Sequence, residues 1–143
     1  MKIISGKYKN RILKSLSNQS VRPTSGIVKK SVFEIIQPLK EKKVLDLFSG
    51  IGSLGIEALS RGALSVTFVE KNKKVCKILL DNVTTICKED QVSIINADVD
   101  IFLKSHCEKY DIIFADPPYD LIRFDELKLM ISDFLNYGGI FCM

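Results

Sequence analysis

Four residues near the C-terminus, Asp116-Pro117-Pro118-Tyr119, follow the apolar run Ile112-Ile113-Phe114-Ala115 and could present a planar nitrogen to an electrophile. Two consecutive prolines fix φ and remove two N–H donors, so the Asp116 carboxylate and the Pro117 carbonyl stand as acceptors with little internal competition. Tyr119 could stack on a flat ring. An exocyclic amine on a base is a weak nucleophile because its lone pair is delocalised into the ring. Two acceptors holding its hydrogens would localise that pair toward attack and stabilise the positive charge that develops. Asp116, Pro117, Pro118 and Tyr119 are therefore candidate catalytic residues, and the chemistry they suit is methyl transfer to an amine.

A second group could hold the methyl donor. In Asp46-Leu47-Phe48-Ser49-Gly50-Ile51-Gly52-Ser53-Leu54-Gly55, the glycines match G-x-G-x-x-G. That spacing permits a tight turn and close approach of a ligand at a helix N-terminus. Glu70, twenty residues after Gly50, ends the next β-rich run, where a carboxylate can accept both hydroxyl hydrogens of a ribose. These features suit NAD as well as S-adenosylmethionine. Asp46 separates the two, because its charge would oppose a pyrophosphate and attract the ammonium- and sulfonium-bearing end of S-adenosylmethionine. Asp98 could accept from an adenine amino group with the Ala97 N–H toward a ring nitrogen, or could simply cap a helix. Asp46, Phe48, Ser49, Gly50, Gly52, Gly55, Glu70, Ala97 and Asp98 are the candidate cofactor residues. Cys76, Cys87, Cys107 and Cys142 are scattered without a C-x-x-C pair, so they read as reduced packing residues and no metal is expected. The lone His106 reads as a surface residue.

The elements that must position these residues alternate from Lys43 onward. Strands are expected at Val44–Leu47, Ser65–Val69, Val92–Asn96, Asp111–Ala115 and Ile140–Met143. Helices are expected at Leu54–Arg61, Lys74–Thr85, Val99–Lys104 and Asp125–Asn136. This alternation predicts an α/β fold with a parallel sheet flanked by helices and a ligand site at the strand ends. Before it, Lys2-Ile3-Ile4 and Arg11-Ile12-Leu13 flank a glycine-containing turn and predict a small β-hairpin appended to the core. A helix should follow Pro23, capped by Thr24 or Ser25, with Val28, Val32, Phe33 and Ile36 on its apolar stripe, Lys29 and Lys30 outside it, and Pro38 ending it.

Charge divides the 143-residue chain, whose net charge is +4. Residues 1–43 carry eleven basic and two acidic side chains, a balance of +9, whereas the remainder carries ten and fifteen, a balance of −5. A basic extension (1–43) on an acidic core (44–143) suggests a polyanion docking on one side. Lys7, Lys9, Arg11, Arg22, Lys29 and Lys30 are the candidate contacts to its phosphates, which become RNA contacts under the family resemblance given below. No run approaches the roughly 18 apolar residues of a membrane span, and no signal-peptide core follows Met1. A cytoplasmic protein is expected.

Taken together, Ile3-Ile4-Ser5-Gly6-Lys7-Tyr8, Arg22-Pro23-Thr24, the segment from Asp46 to Ala63, Val69-Glu70 and Asp116-Pro117-Pro118-Tyr119 resemble the RsmD family of 16S ribosomal RNA guanine-N2 methyltransferases. The glycine loop and Asp-Pro-Pro-Tyr are shared by many amino methyltransferases; the N-terminal segment with Arg-Pro-Thr narrows the likeness to this family. The resemblance implies a Rossmann-like class I methyltransferase fold, S-adenosylmethionine as donor, and methylation of a guanine N2 amine in small-subunit RNA. Such enzymes complete a seven-stranded sheet with a final antiparallel pair, for which there are no residues after Gly138-Gly139-Ile140-Phe141-Cys142-Met143. A shortened chain with an exposed fifth-strand edge, able to pair with a second copy as a dimer, is the corresponding expectation. Three alternatives remain at this level: a DNA adenine-N6 or cytosine-N4 methyltransferase, a nicotinamide oxidoreductase, and a non-catalytic RNA-binding module.

Overall fold

The computed structural model describes residues 1–16, 26–118 and 124–143. Its elements run α1 (Gly26–Ile35), β1 (Lys43–Leu47), α2 (Ser53–Ser60), β2 (Ser65–Val69), α3 (Lys73–Ile86), β3 (Gln91–Ile95), α4 (Val99–Ser105), β4 (Tyr110–Ala115), α5 (Phe124–Ser132) and β5 (Leu135–Cys142). The five strands pair in parallel in the order β3-β2-β1-β4-β5, as the alternating pattern predicts. Successive crossovers carry the chain from β1 to β3 in one direction and then from β4 to β5 in the other. With right-handed connections the helices of the two halves must cover opposite faces.

Side-chain burial follows that geometry. Val44, Val66, Phe68, Ile112 and Phe114 bury on one face with Phe33 of α1, Ile56 and Leu59 of α2, and Leu79 and Val83 of α3. The alternate residues Leu45, Leu47, Val69, Ile113 and Ala115 bury on the other with Phe102 of α4 and Leu127 and Ile131 of α5. A period of two with both sets apolar is what a sheet covered on both faces requires.

The N-terminal segment turns back on itself through one antiparallel bridge, Lys2 with Ile12, and forms no strand. The Ile3 N–H donates to Arg11 O at 3.0 Å and the Asn10 N–H to Ile3 O at 2.9 Å. Ile3 and Leu13 are buried in the same cluster as Val44 and Phe114. Gly6 lies backbone to backbone on the end of α2: the Lys7 N–H donates to Ser60 O at 2.8 Å, and a Cβ on Gly6 would fall 1.8 Å from that oxygen.

A buried carboxylate fastens this segment. Glu57 of α2, fully buried, accepts the Ile4 N–H (2.8 Å), the Ser5 N–H (3.0 Å) and Arg61 Nε (2.9 Å), with Lys29 Nζ at 3.3 Å. Lys29 is thus a correction to the expected helix face: it is buried, donating also to Lys2 O (3.1 Å) and Ser53 Oγ (3.2 Å), while Val28 is exposed. Burial pulls the Lys29 ammonium below its ordinary pKa and the Glu57 charge opposes that pull. The Arg61 guanidinium covers the Phe33 ring at 4.9 Å, joining α1 to the same network.

Four further expectations change. The last helix ends at Ser132 rather than Asn136, and the fifth strand begins at Leu135 rather than Ile140. The step from Tyr110 to Ile112 in β4 is matched by the longer step from Leu135 to Ile140 in β5. Gly138 at φ 72° accommodates this irregularity, and Asn136 Nδ2 donates to Asp111 Oδ1 at 3.0 Å. His106 is not a plain surface residue, because it stacks on Phe102 at 4.4 Å and lies 2.9 Å from the Tyr110 hydroxyl. Cys107 is exposed, unlike a packing residue. Among the described residues no helix is long and apolar enough to cross a membrane.

Replacing Glu57 by Ala leaves Lys29 and Arg61 buried without their counter-charge, and the expected cost is about 3–5 kcal/mol. Urea unfolding of Glu57→Ala against the parent measures it, and a loss below about 1 kcal/mol would remove this carboxylate from the support of the fold.

Candidate active site

The strand register builds the site. Leu47 pairs with both Val69 and Ala115, and Val69 pairs with Ile95. The next residue of each strand, Phe48, Glu70, Asn96 and Asp116, therefore forms one row across the C-terminal edge of the sheet. Neighbouring strands lie about 4.8 Å apart, so Glu70 and Asp116 are separated by roughly 10 Å of edge. The strand order reverses between β1 and β4, and the helices leave on opposite faces there, opening a crevice.

Beneath the row lies Asp46. It is buried, and its Oδ2 accepts the Gly55 N–H at 2.9 Å. Burial pushes this carboxyl up to about 8; the Gly55 hydrogen bond opposes the rise, and the Asp116 and Glu70 charges add to it. Three carboxyl groups thus converge on the crevice, and a cation there would relieve their mutual repulsion. Gly55 is required by packing: a Cβ would meet the Phe68 ring at 2.2 Å, so only glycine lets α2 approach β2 closely enough to bring its N–H to Asp46.

The loop itself is held from β2. Gly50 N–H donates to Glu70 Oε2 at 2.9 Å and Asn72 N–H to Oε1 at 2.8 Å. Each Glu70 oxygen takes one backbone N–H here and keeps acceptor capacity for a hydroxyl. Ser49, expected to touch cofactor, spends its side chain internally: its hydroxyl donates to Asp46 O and accepts the Val69 N–H at 2.9 Å. Phe48 adopts φ 56°, a conformation rare for a bulky residue. Asn96 Nδ2 donates to Glu70 O (2.7 Å) and Lys71 O (3.0 Å), tying the ends of β2 and β3 together; the sequence pattern gave this residue no role. Asp98 caps α4 through the Asp100 N–H at 3.0 Å and lies 3.6 Å from Lys71 Nζ, with Ala97 half-buried before it.

Asp116 and Pro118 are exposed and Pro117 is half-buried at the end of β4. Tyr119 and Arg22 lie outside the described residues. The basic candidates do not form one set. Lys7 pairs with Asp90, whose other oxygen accepts the Tyr8 hydroxyl at 2.6 Å. Lys9 and Arg11 are exposed, Lys30 is exposed 3.8 Å from Glu34, and Lys29 is buried. The division into a basic extension and an acidic body also overlooked Lys71, Lys73, Lys74 and Lys77, four lysines in seven residues at the start of α3 with no acid among them.

A family model described as conserved hypothetical protein 95 matches residues 1–140. The ribosomal RNA small subunit methyltransferase D of Haemophilus influenzae is 39% identical over 123 residues, covering 83% of this chain and 64% of that protein. The protein of the same name from Escherichia coli is 32% identical over 134 residues, 93% of this chain and 67% of that one. Among solved structures, a hypothetical protein of Thermus thermophilus superposes with a TM-score of 0.87 at 26% identity, over 99% of this chain and 83% of that chain. The chain spans a little under two thirds of the Haemophilus protein. With the match running from the N-terminal turn through the strand-end carboxylates into β5, the chain belongs to the RsmD family, described as conserved hypothetical protein 95.

Proposed function

We propose that this chain transfers a methyl group from S-adenosylmethionine to the exocyclic N2 amine of a guanine in 16S ribosomal RNA. One observation carries the reading: Glu70 and Asp116 flank the switch point in a single row above the buried Asp46, in a chain whose relatives are named as small-subunit RNA methyltransferases. When bound, the donor supplies a sulfonium-activated methyl group. The chain's own residues hold and orient. The Glu70 oxygens accept ribose hydroxyls while fixing the Gly50 turn, and the loop from Phe48 to Gly55 forms the wall of the crevice. Ala97 and Asp98 mark its adenine end. Asp46, Glu70 and Asp116 set a negative potential that favours a cationic ligand over a pyrophosphate.

At the other end of the row, the Asp116 carboxylate and Pro117 carbonyl accept the hydrogens of the target amine, and Tyr119 packs on the base. No strong base is required, because the amine becomes acidic as it gains positive charge and its proton then leaves. A guanine paired in a helix must leave its stack first, at a cost of roughly a few kcal/mol. Residues 1–43 serve as the RNA-docking part and 44–143 as the catalytic part, with Lys9, Arg11, Arg22 and Lys30 toward phosphates and the reaction set in the cytoplasm. Lys29 drops out of this set because it is buried against Glu57, and Lys7 because it pairs with Asp90.

Calorimetric titration with S-adenosylhomocysteine and NAD tests the donor site, and mass spectrometry of small-subunit RNA incubated with chain and donor tests the product. N2-methylguanine is expected; a modified adenine or cytosine, or NAD binding in place of S-adenosylhomocysteine, overturns the reading. Asp116→Ala should keep donor affinity within about twofold and lose methyl transfer by about 100-fold or more; near-parent turnover in single-turnover assays would take Asp116 out of the chemistry. The raised Asp46 carboxyl gives a pH signature. Its unfolded value is 3.8 and its folded value about 8, so between those limits the folded donor-free chain holds the extra proton and loses stability as pH rises. A cationic ligand favours the ionised form, so S-adenosylmethionine affinity should increase from pH 6 to 8. Asp46→Asn should flatten both trends, and parent melting curves that do not fall over this range would refute the assignment.

A further inference from the structure

Outside the site just described, a shallow groove of about 590 Å³ runs between α3 and the edge strand β3, lined among others by Lys73, Lys74, Lys77, Leu80, Ile94 and Asn96. Three features distinguish it from an ordinary solvated helix face. Its lysines are exposed, and among the described residues none of the three makes an ion pair, whereas neighbouring Lys71 lies 3.6 Å from Asp98. Its apolar lining includes Leu80, 48% exposed on a helix face where a solvated polar residue would serve as well. And Asn96, at one end of the groove, belongs to the same strand-end row as Glu70 and Asp116.

Cations on a rim beside an apolar lining suit a ligand with regularly spaced anions and flat apolar bodies. We propose that this groove is a second RNA-docking surface, which holds single-stranded RNA flanking the target nucleotide, with phosphates on Lys73, Lys74 and Lys77 and a base or ribose against Leu80 and Ile94. The distance fits: β3 and β4 are three strand spacings apart, about 14 Å, a span that a few nucleotides of single strand cover from the amine site. The basic N-terminal segment reaches the same helix farther along. Lys14 is anchored to the same helix, its N–H donating to Asn82 Oδ1 at 2.8 Å and its ammonium 3.6 Å from Asp81. Lys77 lies about one helical turn from that anchor. A strand laid along α3 would therefore meet cations from both parts of the chain.

The inference rests on an RNA substrate, and its test separates the two. Affinity for a small-subunit RNA fragment with an unpaired segment is measured over a salt series for the parent and for the triple variant Lys73→Gln, Lys74→Gln, Lys77→Gln. S-adenosylhomocysteine affinity is measured on both. The variant should bind RNA roughly tenfold or more weakly at low salt, and the slope of log K against log salt should fall by about 2, three single-strand phosphate contacts at about 0.7 each. Donor affinity should stay unchanged. Lys→Arg at the same three positions should restore RNA binding. Unchanged affinity and slope in the glutamine variant overturn the groove, as does a parent that binds no RNA; donor binding in that same parent still decides the methyltransferase reading separately. Ultraviolet crosslinking of RNA to the parent provides a check independent of variant folding: adducts on the peptide containing residues 73–80 support the groove, and adducts confined to residues 1–43 overturn it.

Discussion

The Glu57 carboxylate, with no exposure to solvent, collects two backbone N–H groups of the N-terminal segment, the guanidinium of Arg61 and the ammonium of Lys29. These four partners match the acceptor capacity of an ionised carboxylate. They come from three separate stretches of chain, so the same two oxygens join the N-terminal turn, α1 and the end of α2. A charge buried this completely is tolerable only when fully paired. The requirement is therefore stringent: each partner must stay in place for the others to remain solvated by protein. Since α2 also carries Gly55 and follows the glycine loop, the network that anchors the basic segment also fixes the helix that presents its N–H to Asp46.

At the other end of α2 the balance of charge is reversed. Asp46, Glu70 and Asp116 concentrate negative potential at the reversal of strand order, and the partners of Asp46 and Glu70 described above are backbone N–H groups. Burial raises the Asp46 carboxyl, and its protonation lowers the strain of holding three acids together. Positive charge gathers away from these acids, in the buried pair beside Glu57 and on the exposed lysines of the N-terminal segment and α3. The crevice between them is left to acceptors. That separation suits an enzyme whose small ligand is cationic and whose large ligand is a polyanion.

Several elements were legible from local pattern. The β1, β2 and β4 strands, the glycine loop and Glu70 were placed correctly because strand period, helix caps and loop spacing are short-range signals. The fifth strand was misread, since the helical run was extended through Asn136 into residues that pair with β4. There the deciding interaction is Asn136 with Asp111, 25 residues away. Lys29 was misassigned for the same kind of reason: a lysine on a short helix reads as solvated, and only the carboxylate of Glu57, far along the chain in α2, makes its burial possible. Ser49 reads as a ligand contact in sequence and Asn96 as no more than the end of a strand, yet both use their side chains to tie strand ends together.

By itself the sequence determined the alternation of strands and helices, the parallel sheet, the set of candidate acceptor residues and the family likeness, because each of these depends on residue type and spacing within a few turns of chain. Tertiary structure alone decided which charges face solvent and which are consumed in the interior. It alone set Glu70, Phe48, Asn96 and Asp116 in one row, raised the Asp46 carboxyl, and brought the lysines of α3 beside the edge of β3. Those outcomes depend on strand register and on the desolvation of groups far apart in the chain, and neither quantity is carried by any local stretch of residues.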